Sequence, residues 1–102
     1  MNKKTEIEKL NNQIRKCKKC PLWKTRKNTV PGEGPVDARV MIIGEAAGGK
    51  EDETGRPFCG PAGKILDEFL RKAKIDRKQI YITSILKCRP VISRIKNVKI
   101  KK

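Results

Sequence analysis

The sequence predicts an α/β fold built on a parallel sheet, and three segments carry that prediction. Two short apolar runs, residues 40–43 and residues 80–86, have the length and the β-branched content of strands. Between them, residues 61–73 carry an apolar stripe at helical spacing. A strand, a helix and a strand in that order form a βαβ unit, whose two strands lie parallel.

The first predicted element in the chain is a helix over residues 5–16. Thr5 and Glu8 have the spacing of a capping box at its start. Its apolar residues recur at helical spacing, at Ile7, Leu10 and Ile14. The Cys-Lys-Lys-Cys-Pro run of residues 17–21 ends this helix, and a polar loop rich in proline and glycine then extends to residue 37.

The predicted βαβ unit begins at residue 40. Its continuous apolar run, residues 40–43, is typical of a strand buried on both faces. A glycine-rich loop over residues 44–60 separates this strand from the helix, whose first turn suits Pro61. The apolar stripe of the helix consists of Ala62, Ile65, Leu66, Phe69, Leu70 and Ala73. Because two parallel strands do not form a stable layer alone, we expect the fold to need strands that this chain does not contain.

The chain is long enough, at 102 residues, for one small domain. We assign that domain to residues 1–90. Residues 91–102 form a basic tail in which Val and Ile alternate with Lys and Arg. An edge strand, a short helix and a disordered tail all fit that pattern, so the sequence assigns the tail no structure.

The charge balance favours a polyanionic partner. Lys and Arg number 26 against 11 Asp and Glu, which gives a formal charge of +15. Nucleic acid is the simplest such partner, and an anionic membrane surface is the alternative. A lysine-rich organism would also produce this composition. Since the sequence contains neither a long apolar run nor a signal-type segment, we expect a cytoplasmic protein that does not enter the membrane.

Four cysteines make a metal site a candidate. Cys17 and Cys20 form a Cys-x-x-Cys pair directly after a helix, a spacing that lets two thiolates bind one ion or cluster. The alternatives are a thioredoxin-like redox pair, although such a pair normally opens a helix, and two thiols with no special role. Cys88, just past the second strand, is a candidate third ligand, whereas Cys59 lies inside the glycine-rich loop. Residue type alone leaves zinc and an iron–sulfur cluster both open.

The glycine-rich segment, residues 44–63, leaves the carboxyl end of the first predicted strand. In open α/β sheets ligands bind outside those strand ends, and glycines let backbone N–H groups approach a ligand closely. Acidic residues in the segment and the lack of a Gly-Lys-Ser/Thr signature argue against a simple phosphate-binding loop. The residues therefore predict a ligand pocket at a strand end, with a long solvated connection as the alternative.

Three blocks of the sequence form one ordered pattern. Residues 44–63 contain Gly-Glu-Ala-Ala-Gly-Gly-Lys-Glu-Asp and then Gly-Arg-Pro-Phe-Cys-Gly-Pro-Ala-Gly. A Cys-x-x-Cys-Pro-Leu run precedes this segment, and a Tyr-Ile-Thr-x-x-x-Lys-Cys-Arg-Pro run follows it. In order and in spacing, the blocks resemble the family-4 (iron–sulfur) uracil-DNA glycosylases. The resemblance covers residues 5–90, the amino-terminal half of such a protein.

The resemblance implies a fold and an activity. The fold is part of a three-layer α/β/α uracil-DNA-glycosylase-like domain with a parallel sheet, truncated after the second strand, and it occupies residues 1–90. The activity is base-excision repair, in which the N-glycosidic bond of a flipped deoxyuridine is hydrolysed. The implied partner is DNA that contains uracil. The sequence leaves the oligomeric state open.

The resemblance also assigns roles to individual residues. Cys17, Cys20 and Cys88 match three of the four cysteines that hold a structural [4Fe–4S] cluster, with zinc as the alternative metal. Phe58 matches the ring on which the extruded uracil stacks, and Glu45 and Ser84 are the expected catalytic residues. The full implied set of substrate-binding residues is Gly44, Glu45, Ala46, Glu51, Phe58 and Ser84.

Several positions depart from the family pattern. Ser84 replaces an Asn that reads the edge of uracil, and Ala47 replaces a Pro of the pocket loop. Ala46 stands where classical uracil glycosylases carry a water-orienting Asp, so we expect catalysis to depend on stabilising the leaving group. The chain also lacks the fourth cluster cysteine and the second active-site motif, which supplies a His; the sequence contains no His.

These departures predict an impaired enzyme, and we expect the chain to be a truncated or frame-shifted product. Two other functions remain open from the sequence. One is a non-catalytic, basic nucleic-acid-binding fragment stapled by a metal. The other is a small zinc or redox protein with no role on DNA.

Overall fold

The computed structural model describes residues 2–90, so the predicted tail at 91–102 lies outside the described residues. Five regular elements follow one another within that range: α1 (Lys3–Arg15), β1 (Met41–Ala46), α2 (Gly49–Thr54), α3 (Pro61–Lys72) and β2 (Tyr81–Leu86). Two short 3-10 turns, Pro21–Lys24 and Arg77–Gln79, connect them. The mixture of helices and a parallel strand pair confirms the predicted α/β class, as a partial fold.

The two strands pair in parallel, as the βαβ pattern predicts. Their register places Ile42 beside Ile82 and Gly44 beside Ser84. On its other edge Ile82 forms an isolated antiparallel bridge with Glu33. The N–H of Glu33 donates to the carbonyl of Ile82 at 2.9 Å, and the N–H of Ile82 donates back at 2.8 Å. The loop before β1 therefore pairs with the far edge of β2.

The core lies between α3 and one face of the sheet. Leu70 of α3 packs with Ile80 and Ile82, and all three are buried. Partly buried residues close this cluster, namely Ile42, Phe58 and Leu66. Because Phe58 belongs to the loop between β1 and α3, the core anchors that loop directly.

The prediction that β1 is buried on both faces is wrong for the described residues. Exposed and half-buried positions alternate along the strand, and Met41 and Ile43 are 57% and 59% exposed. The stripe of α3 is likewise split, since Ile65 and Phe69 are 73% and 65% exposed. The physical reason is that α3 covers one face of the sheet, while residues 2–90 supply no layer over Met41 and Ile43.

The start of α1 also differs from the prediction. Asn2 is the N-cap, and its side-chain oxygen accepts a hydrogen bond from the N–H of Thr5 at 2.8 Å. Thr5 therefore lies inside the first turn, and the predicted capping box between Thr5 and Glu8 is wrong. An Asn three residues upstream offers the helix the same kind of acceptor.

The sequence analysis predicted one continuous loop over residues 44–60, but a short helix, α2, forms inside it. Gly48 is the N-cap of this short helix, and the carboxylate of Glu51, at the third helical position, accepts the N–H of Gly48. Gly55 ends the helix in the left-handed conformation, with φ of 76°, which glycine adopts without strain. The helix places the carboxylate of Glu51 within hydrogen-bonding distance of the N–H groups of Cys59 and Gly60, later in the loop.

Gly63 allows the loop to pack on α3. A Cβ at this position would lie 2.0 Å from the carbonyl oxygen of Phe58. We predict that Gly63→Ala lowers the free energy of unfolding by about 1–3 kcal/mol, because overpacking outweighs the helix propensity gained from alanine. Urea denaturation followed by circular dichroism measures the change.

Gly49→Ala is the matched control. A Cβ on Gly49 would meet its nearest neighbour, the guanidinium of Arg89, at an ordinary 3.7 Å. This variant is expected to unfold at the wild-type urea concentration. Equal urea midpoints for the two variants would show that the close approach of Gly63 to the carbonyl of Phe58 does not exclude a side chain at position 63.

Candidate active site

A pocket of about 320 Å³ opens at the carboxyl ends of β1 and β2. This strand-end pocket is lined by Gly44, Glu45, Ala46, Gly48, Gly49, Glu51, Phe58, Pro61, Ala62 and Ser84. The lining includes every residue that the sequence analysis named as substrate-binding. The structure thus brings these residues to one place, while their chemical roles stay predictions.

The ring of Phe58 forms an apolar wall of the strand-end pocket. It lies so close to the backbone of β1 that a Cβ on Gly44 would be 2.7 Å from its Cζ atom. Phe58 also adopts a positive φ of 50°, which is strained for a residue with a side chain. Packing against the core holds the ring in place despite that strain.

Ser84 faces the pocket from β2, beside Gly44. Its side chain is buried, and its Oγ lies 3.1 Å from where a Cβ on Gly44 would stand. A hydroxyl can donate one hydrogen bond and accept others, but it is shorter than an amide side chain. Ser84 can therefore offer its hydroxyl to a ligand that lies in the pocket beside the ring of Phe58.

Glu45 borders the pocket differently from its neighbours. It is exposed, and strand alternation directs its side chain to the face opposite Gly44 and Ala46. Its main chain is therefore the part that borders the pocket next to Phe58. An exposed carboxylate on the opposite face is poorly placed to act on a ligand that lies against Phe58.

Glu51 is a buried acceptor for the loop backbone. Its Oε2 accepts the N–H groups of Cys59 at 2.9 Å and Gly60 at 2.8 Å, while Oε1 accepts the N–H of Gly48 at 2.9 Å. Burial raises the pKa of Glu51, but these backbone hydrogen bonds outweigh burial and hold the pKa below its ordinary value. The carboxylate is thus ionised and fully engaged at neutral pH.

Two arginines fix the turn that carries Phe58. Arg56 forms a paired contact with Glu33, with Nε to Oε1 at 2.8 Å and Nη2 to Oε2 at 3.0 Å. These hydrogen bonds hold the pKa of Glu33 below its ordinary value. Arg77 donates to the carbonyl of Pro57 at 2.9 Å and to Asp67 at 2.8 Å. The residues before Phe58 are therefore tied to the sheet and to α3.

Asp52 is a structural residue that the sequence analysis missed. It is buried, and its Oδ1 accepts the N–H groups of Lys27 at 2.9 Å and Asn28 at 3.3 Å. The side chain of Asn28 returns hydrogen bonds to the carbonyls of Asp52 and Glu53. These contacts fasten α2 to the loop that follows the Cys-x-x-Cys pair. Nothing in the local pattern around Asp52 identifies partners so distant in sequence.

A second cavity, of about 600 Å³, lies between the end of α1 and the end of β2. This cysteine cavity is lined by Leu10, Gln13, Ile14, Lys16, Cys17, Lys18, Lys19, Cys20, Leu22, Ile85, Leu86, Lys87 and Cys88. It brings together the three predicted metal ligands, Cys17, Cys20 and Cys88. Within the described residues, however, no three Cys, His, Asp or Glu side chains are grouped closely enough to hold one metal ion.

Cys59 lies apart from the other cysteines, in the loop held by Glu51. Its Sγ contacts the hydroxyl of Thr54 at 3.2 Å and donates to the carbonyl of Arg56 at 3.3 Å. It is absent from the lining of the cysteine cavity. The geometry therefore gives no support to Cys59 as a substitute ligand for that cavity.

Comparison with known proteins assigns the chain to a family. Residues 31–102 match the family model described as the uracil DNA glycosylase superfamily. The chain belongs to the uracil DNA glycosylase superfamily. The match extends past Pro90 and includes the basic tail that the sequence analysis set apart.

Curated relatives in this superfamily cover most of the chain. It is 50% identical over 92 residues to the type-4 uracil-DNA glycosylase of Pyrobaculum aerophilum, an alignment that covers 90% of this chain and 47% of that protein. It is 46% identical over 84 residues to the type-4 enzyme of Thermotoga maritima, covering 82% and 44%. The type-5 uracil-DNA glycosylase of Thermus thermophilus is 32% identical over 84 residues, covering 69% and 37%.

The chain spans about half the length of the relatives with which it aligns. The strand-end pocket lies within residues 31–102, which match the family model, whereas Cys17 and Cys20 of the cysteine cavity precede that range. Among residues 2–90, no helix combines the length and the apolar character needed to cross a membrane. The match to the family model includes the whole strand-end pocket, but from the cysteine cavity it includes only Ile85, Leu86, Lys87 and Cys88.

The contacts of Glu51 generate a prediction about stability and pH. A group whose pKa is lowered by folding stabilises the protein above its ordinary pKa and loses that effect as the pH falls through the folded value. We predict that Glu51→Gln lowers the free energy of unfolding at pH 7 by about 1.5–3 kcal/mol, the range for hydrogen bonds to a charged group. Below pH 4.5, the free energy of unfolding should therefore fall less steeply with pH in the variant than in the wild type.

Glu53→Gln is the control for the same short helix. Glu53 is exposed and approaches Lys50 at 3.8 Å, so its substitution should change stability by about 1 kcal/mol or less. Urea titrations of the three proteins at pH 7 and at pH 3.5 measure both effects. A Glu51→Gln protein as stable as Glu53→Gln at pH 7 would contradict the loop-closing role of Glu51.

Proposed function

We propose that this chain forms the uracil-binding half of a uracil-DNA glycosylase. One observation carries the proposal: the six residues implied by the family resemblance line a single pocket at the strand ends. Support also comes from the type-4 relatives, which are 45–50% identical to the chain. The proposed reaction is hydrolysis of the N-glycosidic bond of a deoxyuridine flipped out of DNA, as in base-excision repair.

The pocket has the parts needed to receive a flipped base. An enzyme that acts on a base removes it from the helical stack and places it against an apolar or aromatic surface. The ring of Phe58 supplies that surface, and the bare backbone of Gly44 allows the ring to lie close to the strand. Ser84 then contacts the edge of the base from β2.

The proposed chemistry depends on stabilising the departing uracil. Bond cleavage places negative charge on uracil, and backbone N–H groups and the hydroxyl of Ser84 stabilise that charge. No carboxylate at position 46 orients a water molecule, since that residue is Ala. Glu51 is not available as a general base, because its oxygens already accept three backbone N–H groups. We assign it a positioning role.

We propose that the cysteine cavity holds a [4Fe–4S] cluster through Cys17, Cys20 and Cys88. Three thiols around a cavity of about 600 Å³ fit a cluster of several metal atoms better than one ion, for which the described side chains are not grouped. Zinc is the alternative. The bound cluster would cross-link the end of α1 to the end of β2. A fourth ligand would come from outside these three cysteines.

The proposed partner is uracil-containing DNA. The formal charge of +15 favours binding to phosphates, with an affinity that falls as salt rises. Location in the cytoplasm stays a prediction. The second candidate function is a non-catalytic nucleic-acid-binding fragment, which is favoured by Ser84 in place of the family's Asn.

Uracil affinity tests the stacking role of Phe58. We predict that Phe58→Ala raises the dissociation constant for free uracil about tenfold or more, since aromatic stacking contributes about 1–3 kcal/mol per base. Chemical-shift titration of the labelled protein measures it. The control is Phe69→Ala, a ring 65% exposed on α3 and outside the pocket lining. Matching affinities in the two variants would overturn the placement of uracil on Phe58.

Ser84 provides the test of catalysis. We predict that Ser84→Asn, which restores the family's amide, releases uracil faster than wild type from a uracil-containing oligonucleotide, and that Ser84→Ala releases it more slowly. The reason is that an amide can both donate to and accept from the edge of uracil. Chromatography of the released base gives the rates. The absence of release from all three proteins, with DNA still bound, would favour the non-catalytic alternative.

A further inference from the structure

One guanidinium links the parts of the chain that surround the cysteine cavity. Nη1 of Arg26 donates to the carbonyl of Cys17 at 2.7 Å and to the Sγ of Cys88 at 3.3 Å. Its Nη2 donates to the carbonyl of Arg15, at the end of α1, at 3.4 Å. Arg26 and Cys88 are 62 positions apart in sequence. The side chain therefore bridges the Cys-x-x-Cys loop and the segment that follows β2.

The backbone around Arg26 is itself held in place. The N–H of Arg26 donates to the carbonyl of Leu22, in the short 3-10 turn before it, at 3.2 Å. The next two N–H groups, those of Lys27 and Asn28, donate to the buried carboxylate of Asp52. A guanidinium that starts from an anchored backbone has a restricted reach, so its contacts with the cysteine segments define a preferred geometry.

Arginine suits this position for a chemical reason. Its planar guanidinium carries five N–H donors in a fixed arrangement, whereas a lysine ammonium is a compact charge on a flexible stem. An N–H donated to a sulfur stabilises negative charge on that sulfur. Hydrogen bonds to ligand sulfurs also help to set the reduction potential of an iron–sulfur cluster. Arg26 thus combines a geometric and an electrostatic effect on Cys88.

We propose that Arg26 is a positioning residue of the cysteine cavity. It holds the Sγ of Cys88 and the Cys17 loop toward one shared ligand and donates a hydrogen bond to the Cys88 sulfur. The inference deepens the proposed function, because it rests on these cysteines binding a cluster. The cavity supplies the geometry on which it depends, since Cys17, Cys20 and Cys88 line it together.

The first experiment needs no metal. Dibromobimane joins two thiols that lie close together, and peptide mapping identifies the cysteines joined. In the metal-free protein with Cys59→Ser, we expect cross-links between Cys88 and the Cys17–Cys20 pair. Their yield should fall in Arg26→Ala and recover in part in Arg26→Lys. The control is Arg71→Ala, which removes an exposed contact with Glu68 on α3.

The second experiment uses the protein reconstituted anaerobically with iron and sulfide. We expect Arg26→Ala to retain iron against a chelator about 10–100-fold less well than wild type, the range for loss of a partner of a metal ligand. Its reduction potential should be lower, because the lost donor stabilised the more negative reduced cluster. Arg26→Lys should fall between the two, and Arg71→Ala should match wild type.

The outcomes separate the two proposals. If the wild-type chain takes up no iron and sulfide, the cluster is ruled out for this chain, and the cross-linking experiment alone decides the role of Arg26. Equal cross-linking in wild type and Arg26→Ala overturns that role. So does a reconstituted Arg26→Ala protein with the wild-type potential and chelation rate. Circular dichroism of each variant shows whether a loss of cross-links reflects unfolding.

Discussion

The glycine-rich loop that lines the strand-end pocket depends on one buried carboxylate. Glu51 accepts N–H groups from Gly48 on one side of α2 and from Cys59 and Gly60 on the other. These donors lie up to twelve positions apart, and the carboxylate draws them to one point. Charge-assisted hydrogen bonds of this kind are about twice as strong as neutral ones. The path of the loop, and hence the position of Phe58 within it, follows from that closure.

The loop can adopt this path because glycine occupies the positions where its backbone approaches other atoms most closely. A Cβ on Gly48 would lie 2.7 Å from Oε1 of Glu51, and a Cβ on Gly63 would lie 2.0 Å from the carbonyl of Phe58. A Cβ on Gly44 would meet the Phe58 ring itself. Each glycine thus removes a steric obstacle at a different contact of the loop, and two of them, Gly44 and Gly48, also line the strand-end pocket. Shape and electrostatics together determine where the ring lies, and neither suffices alone.

Local patterns in the sequence predicted the central βαβ unit, the parallel pairing and the start of α3 at Pro61. They failed where the answer depends on distant residues. The apolar run of β1 cannot reveal that α3 covers one face alone, which leaves Met41 and Ile43 exposed. The helix α2 was missed because its sequence is polar and opens with glycine, and its stability comes from contacts made by Glu51 and Asp52 outside the helix.

The residues that line the strand-end pocket were predictable from the sequence, but their hydrogen-bond partners were not. Family resemblance placed Glu51 in the pocket, yet its donors at Cys59 and Gly60 become visible when the chain is folded. Arg26 had no signal at all, because a single arginine in a basic chain is unremarkable until its guanidinium is found on Cys17 and Cys88. Resemblance transfers positions, whereas hydrogen-bond partners must be read from the fold.

The strand-end pocket and the cysteine cavity are connected through the end of β2. Ser84 lines the first, and Cys88, four residues later, lines the second. Between them, the carbonyl of Lys87 accepts the N–H of Val30 at 2.7 Å, and its ammonium donates to the carbonyl of Ser84. Burial lowers the pKa of Lys87, since this ammonium is partly removed from water. Ser84 and Cys88 are therefore held relative to each other by one short stretch of backbone that is anchored at two points.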